Sequence, residues 1–187
     1  MSIEIVISLL AAIGVSGILA VLLNRHFDQQ KLIIEHDVKI FNQSNRIISE
    51  QKLSELIELD LLDDHSIINE DIESLINWCM FFEQTGNQYI DKSINKANQK
   101  LLDRVNQLTD FISFNSAKSR FQDPRGAIRD LKPHWKPDHD NHSNSDSVPS
   151  EYVAKYEELV RDLRSLTSKV KHQYSEYRLT VKQRLKI

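Results

Sequence analysis

Between Ile5 and Leu23 the chain reads IVISLLAAIGVSGILAVLL, nineteen residues without a charge. At 1.5 Å rise per residue a helix of this length spans roughly 28 Å, about one hydrocarbon core. The pattern predicts a transmembrane anchor over residues 1–24. A cleaved signal peptide wants positive charge before the apolar run and a small-x-small site after it. Met-Ser-Ile-Glu precedes the run and Asn24-Arg25-His26-Phe27 follows it, so the segment is expected to be retained. A buried core helix is the remaining reading, but such helices rarely run nineteen residues uncharged.

Beyond the anchor the apolar positions keep a helical step. Phe27, Ile34, Val38, Phe41 and Ile48 extend the first helix as an amphipathic face. Leu53, Leu56, Ile57 and Leu61 give a second helical pattern in the segment 49–64. Asp64-His65-Ser66 reads as a turn, and Asn69 as the N-cap of a helix with acids in its first turn. That helix carries IESLINWCMFF, apolar nearly all round, and is expected to be the central buried one, stopped near Gly86. From about Gln88 to Asn115 the positions Ile90, Ile94, Ala97, Leu101, Val105, Leu108 and Ile112 form one stripe. Residues 116–149 break the pattern and read as a loop. From Pro149-Ser150-Glu151 a final helix starts, and Tyr156, Leu159, Leu163, Leu166, Val170, Tyr174, Tyr177, Val181 and Leu185 follow at near-heptad spacing. At roughly 54 Å it is longer than a small bundle needs, so its distal half is expected to pack on another subunit.

Only four glycines and four prolines occur in 187 residues, which favours long helices over strands. The expected fold is therefore all-α: the anchor 1–24, a juxtamembrane helix and helical bundle over 25–118, a loop over 119–149 and a long amphipathic helix over 150–187. Arg25 and Lys31 follow the apolar run and only Glu4 precedes it. The positive-inside rule then places the N-terminus outside and the body in the cytoplasm. The single cysteine, Cys79, agrees with a reducing compartment. Residues 151–187 carry nine Lys/Arg and five Asp/Glu, net +4, whereas residues 1–150 carry fifteen and twenty-two, net −7. The basic helix can sit against the acidic 50–73 segment, within or between subunits, or meet anionic lipid or RNA.

Candidate chemistry is sparse. Ser8, Ala12, Ser16 and Ala20 recur every fourth residue, a stripe of small side chains that lets helices approach closely and predicts a homo-oligomer, with a narrow pore as one form. Arg129-Asp130-Leu131-Lys132-Pro133-His134 has an R-x4-H pattern, in which His134 can move the proton of an RNA 2′-hydroxyl and Arg129 can stabilise charge on phosphate. His134, Asp138, His139, Asp140 and His142 are metal-ligand types, but their spacing fits no fixed tetrahedral site, so no metal is expected. No glycine-rich phosphate loop, Ser/His/Asp order or Cys-x-x-Cys is present, and no cofactor is expected.

The Arg129 to His134 motif resembles that of the HEPN superfamily, all-helical bundles that often act as RNases. Taken with the layout of anchor and helical body, the chain resembles the small membrane accessory proteins of type VI-B CRISPR systems, and more generally single-pass helical proteins of phage defence. The resemblance implies a HEPN-like domain and an oligomeric effector of antiviral defence at a bacterial inner membrane that permeabilises or depolarises the cell, partnered by an RNA-guided RNase or another defence protein. A membrane-tethered HEPN-type RNase using Arg129 and His134 is one alternative. A non-enzymatic membrane scaffold or interaction protein is the other.

Overall fold

The structure is a computed structural model that describes residues 3–124, 126–131 and 150–187, with side chains from Ala20 onward except at 120–123 and 150–152. Helix α1 spans Ile3–Ile47, α2 Glu50–Glu55, a π-helix Leu56–Asp63, α3 Asn69–Glu83, α4 Lys92–Asn115 and α5 Ser150–Leu185. Strands β1 (Ser66–Ile68), β2 (Ser116–Asp123) and β3 (Gly126–Leu131) complete the order.

The expected all-α class is corrected by these strands. They form one antiparallel sheet in the order β1-β3-β2, with Ile67 opposite Arg129 and Lys118 opposite Arg129 on the other edge. The sheet escapes a sequence reading for a physical reason. β1 has three residues, and β2, SAKSRFQD, lacks the alternation that marks a half-buried strand. Its stability comes from pairing, including an amide bond from Leu131 to the carbonyl of His65 at 2.8 Å. At the start of β3 the backbone of Gly126 has φ 145°, a conformation open to glycine, and a Cβ there would run into the Glu70 carboxylate.

The second correction concerns the membrane. Among the described residues no helix is long and apolar enough to cross a membrane. From Ala20 onward α1 carries Arg25, Asp28, Lys31, Glu35 and Asp37 within one membrane-length window, more charge than a hydrocarbon core accepts. The absence of a membrane-crossing helix among the described residues overturns the single-pass anchor over 1–24, the inner-membrane localisation and the orientation drawn from its flanks. What the pattern does read correctly is continuity: α1 runs without a break from Ile3 to Ile47.

The core lies where α1, α3, α4 and α5 meet. Ile40 and Phe41 of α1 and Ile48 just beyond it pack in one cluster with Leu75, Trp78 and Phe82 of α3, Leu101, Val105, Leu108 and Ile112 of α4, and Leu163, Val170, Tyr177 and Val181 of α5. Burial repeats every three or four residues because each helix gives the core one stripe. An aromatic chain runs through it: Phe81, Phe82, Tyr89 and Tyr177 stack at centroid distances of 5.0, 5.7 and 6.2 Å. The distal half of α5, expected on another subunit, is instead consumed within the chain, with Val170, Tyr177, Val181 and Leu185 all buried.

Candidate functional site

Of the residues singled out by sequence, Arg129 and Ala20 have described side chains, and they lie on different elements, β3 and α1. Arg129 sits in mid-β3, where its Nε donates to Ser116 Oγ at 2.9 Å and its Nη2 to the Ser116 carbonyl at 3.1 Å. The guanidinium thus laces the start of β2 to β3. His134 and the Asp138, His139, Asp140 and His142 group lie outside the described residues, so only one half of the R-x4-H pair is placed. Ser8, Ala12 and Ser16 fall in α1 ahead of the described side chains, and Ala20 is exposed on the same helix. Among the described residues no group of three or more His, Cys, Asp or Glu is arranged to hold a metal.

A polar junction that spacing does not reveal lies beside the sheet. His65 has φ 51°, in the left-handed region. Its Nδ1 shares a 2.8 Å hydrogen bond with the Tyr156 hydroxyl of α5, and the two rings meet edge to face at 5.9 Å. Burial pushes the Tyr156 hydroxyl above its usual pKa, and the nearby Asp130 carboxylate adds to that. The tyrosine is therefore held protonated. The His65 Nε2 is buried with no hydrogen-bond partner among the described residues. The junction latches the β1–β3 edge to α5. Its partners stand 91 residues apart, so no local motif announces it.

A second junction ties three helices. Asp37 is fully buried and accepts the amides of Ile90 at 2.8 Å and Asp91 at 2.9 Å. Asp91 in turn caps α4, accepting from the amides of Ser93 and Ile94 at 2.8 and 3.2 Å. Arg184, in the last turn of α5, closes the set with contacts of 2.8 and 2.6 Å to Asp91 Oδ2. Burial opposes ionisation of Asp91, yet the Arg184 and amide hydrogen bonds outweigh it and hold the pKa below the usual range. These bonds fix α1, α4 and α5 to one another and leave little lone-pair capacity for a substrate. Cys79 is equally unreactive, because burial, with Glu83 adding, pushes its thiol up to about 12.

Two surface features remain. Residues 20–32 of α1 are exposed without exception, among them Val21, Leu22, Leu23, Phe27 and Leu32, the last two about two-thirds exposed at 64% and 65%. The other is an open groove between α5 and the π-helix. Near it the oppositely charged segments pair within the chain, Lys171 with Glu58 at 2.6 Å and Arg178 with Glu50 at 2.7 Å. The Lys171 hydrogen bond and charge hold Glu58 below its usual pKa. No known family model, curated protein or solved structure matches this chain, and nothing among the comparisons identifies it as a CRISPR accessory.

Proposed function

We propose that this chain is a non-enzymatic interaction protein whose helical body presents α1 for self-association. The observation that carries this reading is the exposed run from Ala20 to Leu32, with five large apolar side chains held out on a rigid helix. Apolar surface left in water forfeits about 25 cal/mol per Å² relative to burial, so such a run favours a partner. The partner proposed is a second copy of the chain. Ala20, Leu23 and Phe27 continue the Ser8, Ala12, Ser16 stripe in steps of four, three and four residues. That periodicity keeps one seam facing a neighbouring helix. Leu23 and Phe27 supply the exposed knobs of that seam.

The permeabilising-effector reading requires a membrane-crossing helix, and none is found among the described residues. A ribonuclease would need Arg129 turned to a phosphate, whereas its guanidinium is engaged by Ser116.

Light scattering coupled to size-exclusion chromatography tests the proposal. The full chain is expected to elute as an oligomer, and Leu23→Glu combined with Phe27→Glu as the 21.8 kDa monomer. Both side chains are exposed, so the fold should hold within about 0.5 kcal/mol. A monomeric wild type, or a variant with the same mass as wild type, overturns it.

A further inference from the structure

We infer that the groove between the π-helix and α5 is a binding site for a phosphate-bearing ligand. The groove has a volume of about 610 Å³ and is lined on one side by α5 and on the other by Leu62 and Asp63 at the end of the π-helix. Arg164, Ser168 and His172 all line it, and they stand at i, i+4 and i+8 on α5, on one helix face. Their backbone positions span roughly 12 Å along the axis, enough to engage more than one phosphate. Lys171 lines the same wall, its ammonium steered by Glu58 on the π-helix.

Charge and donor inventory favour an anion. Neither Arg164 nor His172 has a carboxylate partner among the described residues, whereas Lys171 and Arg178 on the same helix are both ion-paired. The guanidinium of Arg164, the imidazole of His172 and the hydroxyl of Ser168 together offer donors that phosphate oxygens accept. Asp63 is the one carboxylate of the lining.

The wall facing α5 adds an independent observation. π-Helical residues are well under one per cent of those in globular proteins, and they concentrate at functional sites. Here eight consecutive residues adopt that form, and the final turn closes with an amide bond from Asp64 to the Leu59 carbonyl, five residues back, at 3.0 Å. An α-helix of the same sequence would rotate Leu62 and Asp63 to other positions relative to α5. The unusual winding therefore sets the wall of the groove.

A free nucleotide or sugar phosphate and the backbone of an RNA strand present the same chemistry, and calorimetric titration of the full chain separates them. The probes are inorganic pyrophosphate and a single-stranded RNA oligonucleotide. At least one is expected to bind, and Arg164→Gln with His172→Gln should weaken it by about tenfold or more, as should Ser168→Glu, which places a carboxylate among the cations. All three positions are exposed, so the unfolding midpoint should stay that of wild type. Pyrophosphate binding assigns the site to small phosphorylated ligands, and binding of RNA alone assigns it to a strand. Failure of both probes to bind, or a loss smaller than about tenfold in either variant, overturns the inference.

Discussion

Asp37 and Asp91 show how much of this fold hangs on single carboxylates. Asp91→Ala removes an N-cap and the acceptor of Arg184 together, and should lower stability by about 1–2 kcal/mol in urea unfolding. Asp37→Ala should cost more, about 3 kcal/mol, because the amides of Ile90 and Asp91 then lose their acceptor in a buried place. Asp91 also sets a pH dependence. Its folded pKa is depressed, so its contribution is complete above the usual carboxylate pKa and is lost as pH falls through the folded value. Wild type should therefore lose stability as pH falls below the usual carboxylate pKa more steeply than Asp91→Asn, as read from urea midpoints across the acid range. Equal slopes would show that Asp91 titrates alike in both states. Neither carboxylate is conspicuous in the sequence. Asp37 meets amides more than fifty residues away, and Asp91 follows Ile90, whose place in the apolar stripe suggests a helix already begun. Ile90 is in fact exposed just ahead of α4.

Helices were legible because their information is repeated every turn. The stripe from Ile94 to Ile112 and the one from Tyr156 to Leu185 each present the same face many times, and burial follows both. The hairpin had no such redundancy. Lys118, Arg129 and Asp130 are poor strand signals taken singly, and β3 completes its pairing with β1, some sixty residues earlier. The π-helix was half legible: LIELDLLD reads as helical, but its wider winding shows only in the bond pattern. The candidate groove inherits that difficulty, since Arg164, Ser168 and His172 look like ordinary solvated positions until Leu62 and Asp63 are set opposite them. The hairpin offers its own test at Gly126. Gly126→Ala should destabilise by about 1–3 kcal/mol, as the alanine must occupy φ 145° or move the turn. Adding Glu70→Ala separates the causes: recovery would assign the loss to the clash with the Glu70 carboxylate, and no recovery to backbone strain.

On the scale of the whole molecule, α5 joins elements far apart in sequence. It packs along α4, reaches the sheet through Tyr156 and His65, and meets α1 through Tyr177 beside Phe41, whose rings lie 6.5 Å apart. Arg178 adds a cation–π contact, 4.8 Å above the Phe41 ring. The opposite net charges of the two parts of the chain meet at the same surface, through Lys171 with Glu58 and Arg178 with Glu50. Those pairs are exposed on at least one side and add little stability each, so the apolar seam beneath them must carry the association. Ending the chain after Leu166 would remove Val170, Tyr177, Val181 and Leu185 from the core and leave Tyr89 without its hydroxyl partner. Each fully buried large side chain contributes about 1.5–3 kcal/mol, and four of them approach the entire stability of an ordinary domain. The truncated chain should therefore show no cooperative transition in urea and no ordered aromatic signal in near-ultraviolet circular dichroism. If the distal half of α5 served mainly as a surface for another subunit, the truncated chain would stay folded and lose only that association, and a cooperative transition near that of wild type would show it.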